Sequence, residues 1–315
     1  MADFLTHILL ADSVLKQIES RRILEGAAKK RSLYHLGAQG PDIFFYYNCF
    51  PGSGRGPFRE LGDTMHREKT GAFLKRGFQR LQSISYDKNW TDLAIYLSGF
   101  ICHFTLDRFF HPYVHWAADQ WIWGMDGTPR HVTHEQVEMA LDIIFWTEAK
   151  KIPAYKTRTR KLADIGPAWP EGIASFLQET FSELYGIEAG ESEMNKVLID
   201  FYRGNDLLFD PKGWKKGLVN WLEGFTGGGI KPPKHPRLVN ADPAIDWANR
   251  KKRTWANPFV DGETSNLTAD ELFLAASDAA ASHINTLFSR IQKSEDIEDL
   301  FPDISYITGT LINEQ

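Results

Sequence analysis

The sequence predicts a mostly α-helical protein, a multi-helical bundle with long loops. Apolar residues recur at helical spacing in several long segments, helix-start signals stand directly before some of them, and strand-like alternation is scarce. Taken in order, "SVLKQIESRRILEGAA" (13–28) reads as helix. "TDLAIYLSGFICHFTLDRFF" (91–110) opens on a Thr91–Asp92 cap signal and is apolar enough for a buried helix. Pro112 disfavours helical backbone at His111, so this helix is expected to end or kink there. In "HEQVEMALDIIFWTEAKK" (134–151), Val137, Ala140, Leu141, Ile144 and Phe145 form an amphipathic stripe. "GIASFLQETFSELYG" (172–186) is also helical, and "LTADELFLAASDAAASHINTLFSRIQ" (267–292) starts with a Thr268/Glu271 capping box. The loops fall at 48–63, rich in Gly and Pro, and at 224–266, where Trp247, Trp255 and Phe259 favour an ordered cover. We read 1–315 as a single α-helical domain.

Composition narrows the function classes. The 315 residues are 43% hydrophobic with a net charge of -5, an ordinary globular balance that disfavours a broad polyanion surface and so nucleic acid as a bulk ligand. Cys49 and Cys102 are the only cysteines, too few for a disulfide framework. The N-terminal stretch lacks a basic region before an apolar run, and no run of eighteen apolar residues occurs. A cytoplasmic location is the expectation.

The polar groups inside apolar helices need a physical account, because an unpaired buried charge costs several kcal/mol. His103, Asp107 and His111 are spaced four apart, which puts them on one helix face. His134, Glu138 and Asp142 repeat the pattern on a second helix, with His131 and Glu135 as a competing pair one step around. Imidazole and carboxylate at this spacing suit Zn²⁺ or other divalent ions, but such pairs also satisfy one another in cores. His7 in "THILLAD", Asp42 in "LGAQGPDIFFYY" and His66 in "GDTMHREKTG" are further candidate ligands; their plain readings are a core residue, a helix cap and a surface residue. His35, His115, His235 and His283 read as structural or surface residues.

Taken in order, "THILLAD", "GAQGPDIFFYY", "MHREKTG", "GFICHFTLDRFFHP" and "HEQVEMALD", within 5–145, resemble the zinc-dependent phospholipase C family, whose helical fold is shared with single-strand nucleases. The resemblance implies a cluster of two or three zinc ions that hydrolyses phosphate diesters. It implies that Asp42, His66, His103 and Asp107 hold one ion, that Asp107 bridges to a second held by His7, and that His111, His134 and Glu138 hold the third. Asp42 would double as the catalytic proton acceptor. Two departures stand out: secreted members complete the second site with an N-terminal Trp where this chain has Met1-Ala2-Asp3, and the spacing from Asp107 to His111 is shorter. The expected partner is a small phosphate ester or a phospholipid headgroup, with peripheral membrane contact. The alternative is a non-catalytic member whose metals are structural and which binds a lipid or a partner. A di-iron bundle would need paired Glu-x-x-His motifs, and none is found.

Overall fold

A computed structural model describes residues 4–50, 52–54, 56–119, 122–212 and 241–312, excepting the side chain of residue 119. The helices are α1 (Phe4–Leu15), α2 (Arg21–Lys29), α3 (Arg31–Gly37), α4 (Leu61–Arg67), α5 (Thr70–Ser83), α6 (Lys88–Asp119), α7 (His134–Lys150), α8 (Arg160–Ala163), α9 (Glu171–Tyr185), α10 (Glu191–Leu208) and α11 (Ala269–Lys293). A 3-10 turn at Gly40–Tyr46 follows α3. Two small antiparallel pairs complete the list: β1 (Ile122–Trp123) with β2 (Pro129–Arg130), and β3 (Trp255–Ala256) with β4 (Thr264–Ser265). The mostly α expectation holds, and among the described residues no helix is long and apolar enough to cross a membrane.

The organising element is α6, 32 residues and so about 48 Å long. It packs against α1, α2, α3, α5, α7, α9 and α11, which explains why it is apolar around most of its circumference. Contact with α3 is close enough to require glycine on both sides. A Cβ on Gly37 would lie 2.1 Å from the Tyr96 carbonyl, and one on Gly99 would lie 2.2 Å from that of Tyr34. Side chains from α1 through Tyr306 join one contiguous core.

Three local expectations change. The helix begins at Lys88, ahead of Thr91–Asp92; Asp87 accepts from the Trp90 N–H at 3.0 Å, and buried Asp92 pairs with Lys30 instead. Residues 13–28 are not one helix, because the chain turns between α1 and α2. Helix α6 also runs through Pro112. Proline forfeits one hydrogen bond there, and burial of Tyr113, Val114, Trp116 and Ala117 on the continuing turns offsets that loss. The capping boxes Thr133/Gln136 on α7 and Thr268/Glu271 on α11 are both formed. Within 241–266, Trp247 and Trp255 are buried over the end of α6, and the Tyr113 hydroxyl donates to the Trp247 carbonyl at 2.7 Å. Residues 224–240, and His235 with them, lie outside the described residues.

Candidate metal centre

Five elements bring the candidate donors together. His7 comes from α1, Asp42 from the first turn of the 3-10 segment, and His66 from the last turn of α4. His103, Asp107 and His111 come from successive turns of α6, and His134 and Glu138 from the first turns of α7. The i, i+4 spacing places His103 Nε2 3.2 Å from Asp107 Oδ2, and His134 Nε2 2.8 Å from Glu138 Oε1. Gly40, at φ +51, lets the chain approach α6 so closely that a Cβ there would lie 2.4 Å from the His103 ring.

Tertiary packing then assembles three groups, each with its donor atoms within 4.8 Å of one another: His7, His103 and Asp107; Asp42, His66 and His103; and His111, His134 and Glu138. Asp107 joins the first two. Its Oδ1 lies 3.3 Å from His7 Nε2, and its Oδ2 lies 3.6 Å from His66 Nε2. Asp42 Oδ1 stands 3.1 Å from His66 Nε2, and Glu138 Oε1 stands 3.4 Å from His111 Nε2. His7, Asp42, His66, His103, Asp107, His111 and Glu138 are buried, and His134 partly so. The plain reading of His66 as a surface residue is therefore corrected: it is 5% exposed.

Burial alone would raise the carboxyls of Asp42 and Asp107, yet the histidines facing them hold both below the usual range. Burial pulls the His103 imidazole down toward its neutral form. Against the same penalty, the facing carboxylates of Asp107 and Asp42 push His66 up to about 10. Carboxylate and imidazole donors brought together in this way are the ligand types that suit a divalent cation.

A self-satisfied core is tested by its hydrogen bonds. Both ring nitrogens of His7 and of His103, together with Asp107 Oδ2 and His134 Nδ1, are buried without a hydrogen-bond partner among the described residues. Native interiors rarely tolerate so many orphaned polar atoms in one place. The ligand types and the orphaned atoms together fit divalent ions such as zinc. Outer contacts aim some of the rings: His66 Nδ1 bonds the Gly62 carbonyl at 2.6 Å, and His111 Nδ1 bonds that of Tyr306 at 2.7 Å, so both Nε2 atoms face the cleft.

The cleft, about 560 Å³, is lined by Asp42, His66, His111, His134 and Glu138, and by Phe45, Asp63, Arg67, Val132 and Ile307 among others. The cleft holds one histidine that the sequence did not single out, His115, and places others differently from expectation. His115 and His131 also line the cleft. The His115 ring lies 4.5 Å from that of His134. Its spacing of four from His111 was the available signal, hidden by the expected break at Pro112. Asp142 does not continue the ligand stripe; it accepts from the Leu5 and Thr6 N–H groups and the Thr6 hydroxyl, capping α1. His131 precedes α7, whereas His134 and Glu138 are the pair brought to His111. His35 bonds Asp12 and the Leu162 carbonyl, as a structural residue would.

A model of the family described as zinc dependent phospholipase C matches residues 6–190, more than half of the chain and a span that holds all eight donors named above. No curated protein and no solved structure matches the chain.

Proposed function

This chain belongs to the zinc-dependent phospholipase C family, and from that premise we propose that it is a metal-dependent phosphoric ester hydrolase of phospholipase C type, acting on a phosphodiester. The observation that carries the reading is the set of three donor groups, two of them with members lining one cleft, together with the orphaned buried atoms of His7, His103 and Asp107. His7, His103 and Asp107 would hold one ion, Asp42 and His66 with His103 and Asp107 another, and His111, His134 and Glu138 a third. When bound, zinc supplies activation of water near neutral pH and neutralisation of charge on the phosphoryl group.

The chain's own residues do the rest. Asp42 lines the cleft with its carboxyl held ionised, which suits it to accept a proton from the attacking water. Arg67 lines the cleft with a half-exposed side chain and offers N–H donors to a phosphate oxygen. Phe45, Val132 and Ile307 give the leaving alcohol an apolar wall. The products are an alcohol and a phosphate monoester. The substrate class is a small phosphate diester or a phospholipid headgroup presented at a membrane surface. The free Cys49 and Cys102 fit a reducing, cytoplasmic compartment. The contiguous core fits one α-helical domain.

The test is elemental analysis of the purified protein, followed by assays with chromogenic phosphodiesters and mixed phospholipid vesicles. Two or three equivalents of zinc and release of a phosphate monoester are expected. Full loading with no turnover would leave a non-catalytic member with structural metals; no metal uptake would overturn the metal centre itself.

A further inference from the structure

We propose that Tyr306, through its two peptide groups, positions one ligand in each of two metal groups, so that the C-terminal segment 303–309 belongs to the metal-binding machinery. The inference rests on the metal reading above and extends it to residues far beyond the matched span 6–190.

The Tyr306 carbonyl accepts from His111 Nδ1 at 2.7 Å. A carbonyl can only accept, so the proton stays on Nδ1 and the Nε2 lone pair is presented beside Glu138 and His134. The Tyr306 N–H donates to the backbone carbonyl of His66 at 2.9 Å, fixing the last turn of α4 where the second ligand sits. One residue therefore holds His111 of one donor group and His66 of another. Its ring, 1% exposed, packs on those of His66 (5.5 Å between centroids), His103 (5.8 Å) and Phe104 (5.1 Å).

The segment is anchored on both sides of this contact. Ahead of it, Ile304 exchanges two hydrogen bonds with the Thr70 hydroxyl at 2.9 and 2.7 Å, and Asp303 Oδ1 accepts from the N–H groups of Gly71 and Ala72 at 2.7 and 3.2 Å. Behind it, Gly309, at φ +70, lies against the Arg108 carbonyl, where a Cβ would come within 2.7 Å. That carbonyl is the one left without its helical partner by Pro112. The proline that failed to break α6 thus marks the place where the segment docks. Ile307, next to Tyr306, lines the cleft.

The carbonyl can be weakened without touching a side chain. Replacing Ile307 by its α-hydroxy acid turns the 306–307 peptide bond into an ester, whose carbonyl is a poorer acceptor. This also removes the Ile307 N–H, which bonds Ser305 Oγ at 3.2 Å. The control is an ester at 307–308: it removes the Thr308 N–H from the same Ser305 Oγ at 3.3 Å and weakens the Ile307 carbonyl, which accepts no bond among the described residues. In the full chain, zinc dissociation constants are read by chelator competition, with folding followed by circular dichroism. The 306–307 ester is expected to weaken one zinc equivalent by about 10–100-fold while the control matches wild type. Equal zinc affinities in both esters would overturn the inference and leave the metal reading standing; a wild-type protein that takes up no zinc would overturn both. Nitrogen-15 NMR of His111 in the zinc-loaded wild type needs no variant to fold. A protonated Nδ1 is expected, and a protonated Nε2 would refute the positioning role.

Discussion

Two buried carboxylates stand one turn apart on α7 and face two different regions of the molecule. Asp142 points to the start of α1, where the Leu5 N–H, the Thr6 N–H and the Thr6 hydroxyl reach it at 3.0, 2.7 and 2.9 Å. That is a helix N-terminus closed by an anion, with donors and acceptor matched within the protein. Glu138 points instead to His111 and His134, in the region where His7 and His103 leave their ring nitrogens without hydrogen bonds. Burial is the same in both regions, so burial is not what distinguishes a structural carboxylate from a ligand. The distinction is whether the protein's own groups complete the hydrogen bonding. Where they do, the residue serves the fold; where neighbouring groups such as the His7 and His103 rings keep unpaired nitrogens, the set is one that could hold a cation.

That contrast can be broken at its strongest point with Asp107→Asn, which keeps shape and removes the charge shared by two donor groups. Phosphodiester hydrolysis is expected to fall about 10³-fold or more, equivalent to roughly 4 kcal/mol, with loss of zinc from the groups containing His7 and His66. Steady-state kinetics and elemental analysis check this, and an unchanged helical spectrum would show that the fold is not the cause. The opposite behaviour is expected of Asp142→Ala. It orphans two backbone N–H groups at the start of α1 and should cost about 2–3 kcal/mol in urea denaturation. Zinc held by His111, His134 and Glu138 should be retained; its loss would mean that the two regions are not separable.

The smallest effect sharpens the comparison from outside the cleft. His283 on α11 is pulled down to about 4 by burial and by the Arg108 charge, with its Nε2 buried and without a hydrogen-bond partner among the described residues. The unfolded chain takes up this proton near pH 6.5, before the folded protein does. The stability contribution is therefore complete above pH 6.5 and is lost as pH falls toward 4. Its amplitude is roughly 1–2 kcal/mol after allowance for partial exposure. Measured as the slope of unfolding free energy between pH 6.5 and 4, it should flatten in His283→Asn. An unflattened slope would show that this buried histidine outside the cleft carries no linkage of its own.

Local signals made several of these features legible in the chain. The Thr268/Glu271 capping box formed as written, because a cap is decided within four residues. His103 with Asp107, and His134 with Glu138, could be paired from spacing alone, since a helix fixes the direction of residues four apart. The expected end of the helix at Pro112 did not occur for the converse reason: the local preference is real, but the burial of the turns beyond it decided that the helix continues. That expectation concealed His115 and the continuation of the ligand face into the cleft.

The sequence by itself determined the helical class and which side chains share a helix face, because both follow from backbone geometry over a few residues. It could not decide that Asp142 would find α1 while Glu138 found His111, nor that Tyr306 would reach back 195 residues to hold His111. Those choices depend on which helices pack together. Only the tertiary structure sets that packing, because the free energy that selects it comes from core contacts between segments far apart in the chain.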